Sequence, residues 1–361
     1  MKPIVVAIAA IALAGPFAMA AETSAEEQIS QAVQILPQDL RAGATVVTYD
    51  EATGERHVLR QGTNFIECQP RMADGFTRCY NKALAPRRDM EAKLRAEKKK
   101  PEEIQKAIAA AVKDGTLPPA PKAMMAYRGY DKPDRIQDLW VISLPNATPE
   151  SVGVSTGSQR DAALKGHGLP WMMQPGKPGA HIMIPINPPV KDSTLTDEAS
   201  DEISQATLPL PADLRAGATV YKYDDKGERV VLREGTNAVE CMPRSKDGFT
   251  WCYNKVTAAR RDFSAKLHAQ GKSQKEIQAA VAEATKAGTL SPAPFAVMSY
   301  RLYSKRDRIQ LLWVLSVPGA TPESIGVSTG SQRDNAIKGD GRPWLMAAGT
   351  PGAHIMIPIN E

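Results

Sequence analysis

The segment Gly153-Val-Ser-Thr-Gly-Ser-Gln-Arg-Asp161 occurs twice in this chain, the second time without a change at 326–334. Two other segments are also repeated, and the residues between the repeated segments align in the two copies with a single shift of one residue, in the turn at 50–54. A duplication on this scale predicts two similar α+β domains, because the units of a solenoid are shorter and more numerous. The other repeated segments are LRAGATV at 40–46 and 214–220 and GAHIMIPIN at 179–187 and 352–360.

The duplicated segments set the domain boundaries. We expect the first repeat at 21–187, a linker at 188–200 and the second repeat at 201–361. The linker is rich in Pro, Ser, Thr and charged residues, as connections between domains are. Because it is short, we expect the two repeats to touch in a monomer with an internal pseudo-two-fold arrangement. We also expect each repeat to close its own hydrophobic core.

Residues 1–20 have the three parts of a secretory signal peptide. Lys2 supplies the positive charge, 4–13 (IVVAIAAIAL) form the apolar region, and Ala18-Met-Ala20 offers the cleavage pattern. The apolar region is shorter than the roughly 20 residues that span a membrane. The sequence therefore predicts a periplasmic or secreted protein with no transmembrane segment.

The charge balance gives no reason to expect a nucleic-acid partner. The chain has 45 Lys and Arg against 40 Asp and Glu, so removal of Lys2 with the signal peptide leaves 44 − 40 = +4. The charges are interspersed, and the basic run at 98–100 is not repeated in the second copy. Nucleic-acid-binding domains concentrate basic residues on one surface. We expect an unidentified small ligand or an envelope protein as the partner.

Each copy has the residue pattern of an α+β domain with a mainly antiparallel sheet. It lacks the regular alternation of strands and helices that indicates a doubly wound fold. In the first copy, β-rich runs separated by turn residues predict two hairpins and two later strands. Pro185 predicts an edge position for the last strand, because proline donates no hydrogen bond to a neighbour. The predicted strands are 44–49, 55–60, 65–68, 76–80, 139–144 and 181–186.

A helical hairpin is predicted after the second β-hairpin. Apolar residues recur at helical spacing over 90–112. Pro101 suits the first turn of the second helix, and Gly115 suits its C-terminal end. In the second copy, Ser273 and Glu276 mark the same helix start with a capping box. We expect this helical hairpin to be inserted into, or packed on, one face of the sheet.

The four cysteines form two pairs with the same spacing. Each pair lies symmetrically about a hairpin turn, so its members face one another closely enough for a disulfide. Export and an even cysteine count favour disulfides. The rival interpretations fit less well, because zinc ligands and redox cysteines usually lie closer in sequence. We expect structural disulfides Cys68–Cys79 and Cys241–Cys252.

The repeated segment 153–161 contains the string Gly-x-Ser-x-Gly, which in hydrolases places a nucleophilic serine between a strand and a helix. Pro145 and Pro149 separate Ser155 from the preceding predicted strand, so a loop is the better interpretation. The same loop offers backbone and side-chain donors to an anion, the alternative being a turn with local pairing of Arg160 and Asp161. The candidate ligand-binding residues are Ser155, Ser158, Arg160, Ser328, Ser331 and Arg333.

Histidine is scarce, and only His181 and His354 occupy matching positions in the two copies. Each lies two residues before a methionine, so on a strand the two side chains share one face. Imidazole and thioether ligands in an oxidising compartment suit Cu(I). The alternative is that methionine fills irregular core space. The candidate metal-ligating residues are His181, Met183 and Met173 in the first copy and His354, Met356 and Met346 in the second.

Further motifs complete each copy. Val-Leu-Arg-x-Gly-Thr-Asn occurs at 58–64 and 231–237, and Pro-Trp-Leu/Met-Met at 170–173 and 343–346 is followed by Ala-His-Ile-Met. Together with the LRAGATV start and the cysteine pair, these motifs resemble an uncharacterised family of secreted or periplasmic bacterial proteins. The resemblance covers nearly all of each copy. It implies export and one domain per copy, and it implies no activity, ligand or catalytic residue.

Taken together, the sequence predicts a non-enzymatic binding or interaction module. The cleft between two similar lobes is the expected ligand position. No cofactor is expected, because the chain has no phosphate-binding loop or dinucleotide motif. The alternative is an envelope hydrolase that uses Ser155 and Ser328, or His181 and His354. A third interpretation is binding of a soft metal such as copper.

Overall fold

A computed structural model of the protein describes residues 24–188 and 201–360. The predicted signal peptide and nearly all of the predicted linker lie outside the described residues. Each repeat forms an eight-stranded sheet and six α-helices. In the first repeat the helices are α1 (Ala25–Val33), α2 (Gln38–Arg41), α3 (Ala85–Ala96), α4 (Pro101–Lys113), α5 (Pro149–Val152) and α6 (Arg160–Leu164). Its strands are β1 (Thr45–Tyr49), β2 (Arg56–Arg60), β3 (Ile66–Gln69), β4 (Phe76–Asn81), β5 (Met124–Tyr130), β6 (Asp138–Ser143), β7 (Trp171–Met173) and β8 (His181–Pro185).

The second repeat has the same elements in the same order. Its helices are α7 (Glu202–Thr207), α8 (Ala212–Arg215), α9 (Ala258–Ala269), α10 (Gln274–Lys286), α11 (Pro322–Ile325) and α12 (Arg333–Ile337). Its strands are β9 (Thr219–Tyr223), β10 (Arg229–Arg233), β11 (Val239–Met242), β12 (Phe249–Asn254), β13 (Val297–Tyr303), β14 (Leu311–Ser316), β15 (Trp344–Met346) and β16 (His354–Pro358). The tandem repeat is therefore present in the structure as well as in the sequence.

The two sheets have equivalent strand orders, β2-β1-β3-β4-β5-β6-β8-β7 and β10-β9-β11-β12-β13-β14-β16-β15. β1 pairs with β3 in parallel, whereas the other neighbours in that sheet pair antiparallel. This confirms the α+β class with a mainly antiparallel sheet. The predicted edge position of the last strand is wrong, because β8 lies between β6 and β7. Pro185 is tolerated because β7 pairs only with residues 181–183 of β8.

The second β-hairpin of each repeat carries the predicted disulfide. Cys68 on β3 lies directly opposite Cys79 on β4, and Cys241 lies opposite Cys252 in the same way. Both pairs are disulfide-bonded. The four cysteines are buried in the core, so these bonds link strands at the centre of each sheet.

The second helix of each hairpin begins where it was predicted to, and in the first repeat it also ends where predicted. α4 starts at Pro101, and Gly115 follows its C-terminal end with a positive φ of 82°. α10 has the capping box in which Ser273 and Glu276 satisfy each other's backbone N–H groups. In each repeat this hairpin packs on the sheet face that points away from the other repeat, which we call the outer face.

The opposite, inner faces of the two sheets share one hydrophobic core. Met125 and Trp140 of the first repeat belong to the same buried cluster as Met298 and Trp313 of the second. The expected contact between the repeats is thus confirmed. The expectation that each repeat closes its own core is wrong, because neither inner face is covered by its own repeat alone.

Reciprocal hydrogen bonds complete the contact between the repeats. Tyr127 donates to the Gly326 carbonyl at 2.6 Å, and Tyr300 donates to the Gly153 carbonyl. Each bond joins β5 or β13 of one repeat to the loop that ends α11 or α5 of the other. Such self-complementary contacts are those of a two-fold dimer, here built within one chain. No helix within 24–188 and 201–360 is both long and apolar enough to cross a membrane.

Candidate functional site

A cavity of about 1580 Å³ lies in the second repeat between the helical hairpin and the outer face of the sheet. α9 and α10 form its roof, and Tyr253, Ser299 and Ser316 on three adjacent strands form its floor. The segment 347–352 closes one side. Its lining is mostly apolar and includes Ala265, Ile277, Val281, Ala282, Val297 and Pro318.

Several residues that line the cavity are smaller than their counterparts in the first repeat. Three lining residues, Val281, Val297 and Ala347, are smaller than the residues at the same positions of the first repeat. The first-repeat hairpin instead has a buried apolar cluster of its own, centred on Ile104 and Ile108. The larger counterparts of the three lining residues are Ile108, Met124 and Gln174.

Four charged residues form a network beside the cavity. Glu240 on β11 is 3% exposed and accepts hydrogen bonds from Arg229 at 2.8 and 3.2 Å. Glu240 also pairs with Arg261, and Arg229 donates to Asp262 at 2.7 Å. Two carboxylates therefore balance two guanidinium groups. A buried charge is tolerated only when it is paired in this way.

The first repeat contains a related network, in which Arg88, the counterpart of Arg261, pairs with Glu91 instead of the buried Glu67. Glu67 is 1% exposed, pairs with Arg56 and accepts a hydrogen bond from Tyr80 at 2.8 Å. Tyr49 donates to Asp89 on α3 at 2.7 Å. Burial, together with the neighbouring carboxylates, raises the pKa of both tyrosines well above the ordinary value. Because Asp89 and Asp262 lie on the helical hairpins, the network holds each hairpin on its sheet.

Arg260 also lines the cavity, and whereas Arg229 and Arg261 pair with carboxylates, it donates to neutral acceptors. Its guanidinium group donates to the Thr285 hydroxyl at 2.9 Å and to the Ser291 carbonyl at 2.8 Å, and both acceptors are neutral. Arginine stays charged at any pH at which proteins fold. Tyr253, whose pKa burial raises to about 12, adds a neutral hydroxyl to the same lining. Asp224 and Asp225 also line the cavity, but among the described residues no carboxylate pairs with Arg260, so the wall around Arg260 suits an anionic group.

Ser155 and Ser328 lie in the contact between the repeats. Ser155 is 2% exposed and donates to the Asp213 carboxylate of the second repeat at 2.5 Å. Ser328 bonds to Asp39 of the first repeat in the same way. A nucleophilic serine needs a base, most often histidine, at this position. The geometry therefore gives the hydrolase interpretation no support and makes these serines interface residues.

The remaining residues of that loop point elsewhere. Ser158 and Arg160 are exposed, and the Arg160 guanidinium donates to the Asp134 carbonyl at 3.3 Å. Ser331 and Arg333 are exposed in the second repeat, where the Arg333 N–H donates to the Ser331 hydroxyl at 3.3 Å. The structure thus separates the buried serines from the exposed residues, and anion binding by this loop stays a prediction.

The predicted histidine–methionine set is brought together on the outer face of each sheet. Met173 on β7 lies directly opposite His181 on β8, with Met183 two residues further along β8. Burial lowers the pKa of His181. In the second repeat the corresponding residues, Met346, His354 and Met356, have the same pairing. Within the described residues, no group of three or more His, Cys, Asp and Glu side chains has the arrangement of a metal site.

Sequence reasoning missed the cavity and the charged network. One signal was present, since Arg-Arg-Asp occurs at 87–89 and 260–262 in both copies. Glu67 and Glu240 gave another, because each is a charged residue between apolar neighbours of a buried strand. Glu240 and Asp262 lie 22 residues apart in the sequence, and Arg229 links them by donating hydrogen bonds to both carboxylates.

These features define the class of protein: two α+β repeats joined through one core, with a disulfide in each sheet and a cavity under the second hairpin. The chain matches no protein-family model, no curated protein and no solved structure.

Proposed function

We propose that the protein is a non-enzymatic binding module that holds an amphipathic anion in the second-repeat cavity. The observation that carries this proposal is the cavity itself, about 1580 Å³ in volume and lined mostly by apolar residues. Ligand sites in proteins are typically apolar concavities with a few well-placed polar groups. The space between the lobes, where the sequence led us to expect the ligand, is occupied by the shared core. We therefore propose the cavity under the second-repeat hairpin as the ligand site instead.

The apolar lining of the cavity favours a ligand with a long or extended apolar part. Ile277 and Val281 on α10 line the cavity on the helix side, and Val297 on β13 lines it on the sheet side. Burying such a ligand stabilises the complex by roughly 25 cal/mol for each Å² of apolar surface removed from water. A hydrocarbon chain or a fused ring system satisfies this requirement.

Arg260 selects an acidic head group. Its current acceptors, Thr285 and Ser291, leave its charge unbalanced, whereas the charge of Arg261 is balanced by Glu240. A carboxylate, sulfonate or phosphate group that reaches Arg260 gains a charge-assisted hydrogen bond. The same contact disfavours a cationic head group.

The compartment belongs to the same proposal. Residues 1–20 have the pattern of a signal peptide, and the two disulfides are of the kind found in exported proteins. We therefore place the binding module in the periplasm or outside the cell, as a monomer. The resemblance of the motifs to an uncharacterised family of secreted or periplasmic bacterial proteins supports this placement.

A thermal-shift comparison of three probes tests the head-group selection. Dodecanoate is expected to raise the melting temperature of the mature protein more than dodecanol does, and dodecylamine least of all, since only ligands that bind the native state stabilise it. Arg260→Gln should remove the preference for dodecanoate over dodecanol. Equal shifts with all three probes, or an unchanged preference in the variant, would show that Arg260 selects no anion.

A further inference from the structure

We infer that each repeat carries a site for a soft monovalent metal ion, Cu(I) or its probe Ag(I), between the last two strands of its sheet. The site consists of His181, Met173 and Met183 in the first repeat and of His354, Met346 and Met356 in the second. In the second repeat the site adjoins the cavity, since Ser316 and Gly352 line the cavity and contact or pair with His354. None of the six proposed ligands lines the cavity itself, and the inference does not rest on what the cavity binds.

The pairing of β7 with β8 places the ligand atoms together. Met173 lies directly opposite His181, and Trp171 lies opposite Met183. Side chains of opposed residues leave the sheet on the same face with Cβ atoms about 5 Å apart. The thioether of Met173 and the imidazole of His181 are therefore close enough to share one ion. Met183, which packs beside Trp171, lies two residues further along the same face and is the third proposed ligand.

A backbone contact fixes the histidine for this role. The Nδ1 atom of His181 lies 2.7 Å from the Gly179 carbonyl, and Nδ1 of His354 lies 2.7 Å from the Gly352 carbonyl. A ligating histidine usually donates its other ring N–H to a carbonyl or carboxylate, which orients the ring. Here that contact leaves Nε2 as the nitrogen that can bind an ion.

Packing does not explain the outer methionines. Met173 is 39% exposed and Met346 is 42% exposed, yet methionine occupies this position in both repeats. The adjacent residue of the same strand, which is buried, is Met172 in the first repeat and Leu345 in the second. The core thus accepts an exchange of methionine for leucine, whereas the exposed position keeps its thioether in both copies.

Thioether and imidazole donors prefer Cu(I) among the metals available to proteins. The four cysteines of the chain are held in disulfides, so no thiolate competes for the ion. With one site in each repeat, the full chain is expected to bind two ions.

The test is a titration of the mature protein with Ag(I), and with Cu(I) held by the chelator bicinchoninate. We expect two ions per chain. Met173→Leu with Met346→Leu should weaken binding by about tenfold or more, as the loss of a metal-site residue does. Met72→Leu is the matched control, because Met72 is also 39% exposed but lies in the β3–β4 turn.

A second variant pair, His181→Gln with His354→Gln, separates the roles of the two donors and should weaken binding as strongly. Unchanged thermal unfolding of each variant establishes that loss of binding is not loss of folding. Failure of the protein to take Cu(I) or Ag(I) overturns the inference. So does a double methionine variant that binds either ion as well as Met72→Leu does.

Discussion

Ser155 of the first repeat donates a 2.5 Å hydrogen bond to the carboxylate of Asp213 in the second. Ser328 makes the reciprocal bond to Asp39. The equivalent loops of the two repeats therefore have the same role, since each binds the other repeat. Asn81 and Asn254 reinforce this docking, since they donate to the carbonyls of Glu323 and Glu150 at 2.5 and 2.7 Å.

Removal of one interface hydroxyl should destabilise the whole protein. Ser155→Ala is expected to lower the free energy of unfolding by about 2 kcal/mol, because the protein loses a hydrogen bond from a buried hydroxyl to a charged carboxylate. Urea unfolding followed by circular dichroism measures the change. Ser158→Ala in the exposed part of the same loop is the control and should change stability by less than about 0.5 kcal/mol. Equal effects of the two variants would contradict the interface role.

One ion pair crosses between the repeats without a symmetric counterpart. Arg342 donates to Asp138 at 2.6 Å, whereas the corresponding positions are the apolar Leu169 and Leu311. Burial raises the pKa of Asp138 above its ordinary value, although Arg342 opposes that shift. Arg342→Leu should therefore destabilise the protein by about 1–2 kcal/mol, because it leaves a partly buried carboxylate without its ion-pair partner.

The double variant Asp138→Leu with Arg342→Leu reproduces the apolar pair at the corresponding positions, Leu311 and Leu169. It should return the free energy of unfolding to within about 1 kcal/mol of the natural protein, since apolar replacement of a buried ion pair is often neutral. A double variant less stable than Arg342→Leu alone would contradict this account of the pair.

Alkaline stability should follow the buried tyrosines. Burial raises the pKa of Tyr127 and Tyr300 well above 10, the value expected in the unfolded chain. In that range the folded protein holds more protons than the unfolded chain, so the free energy of unfolding falls as pH rises above about 10. Tyrosinate absorbance during a pH titration should show these two residues ionising together with unfolding. Their ionisation in the folded protein would be the contrary result.

Neither repeat should fold alone. Tyr127 and Met125 are fully buried against the opposite repeat and would be exposed in an isolated 24–188 fragment. The full chain is expected to unfold in one calorimetric transition, and the fragment is expected to show none. Two separate transitions, or a cooperatively folded fragment, would mean that each repeat has a sufficient core of its own.

Local features of the fold were predictable because they depend on neighbours in sequence. Proline or a capping box marks the start of the second helix in each hairpin, and the paired cysteines lie symmetrically about a turn. Each of these signals depends on only a few neighbouring residues. The edge assignment of Pro185 failed because β7, only three residues long, was not recognised as a strand. A strand of that length has too few residues to show alternation.

The candidate site was less predictable, since it depends on packing between distant segments. The duplication predicted that the repeats touch, but not that Ser155 would meet Asp213 from the other copy. The cavity depends on side-chain volume at positions such as Val297 and Ala347, which the pattern of apolar residues does not distinguish from Met124 and Gln174. Comparison of the two copies, position by position, is the signal that reveals it.

The most direct test of the proposed function is calorimetric titration of dodecanoate into two variants of one cavity-floor residue. Ser299→Ala introduces the residue that the first repeat has at this position, Ala126, and leaves the cavity open. Ser299→Trp places a bulky side chain in the cavity, where it competes with the ligand for space. We expect one dodecanoate per chain for the natural protein and Ser299→Ala, and clearly weaker binding by a cooperatively folded Ser299→Trp. Equal binding by all three proteins, or no binding by any, would contradict the proposed function.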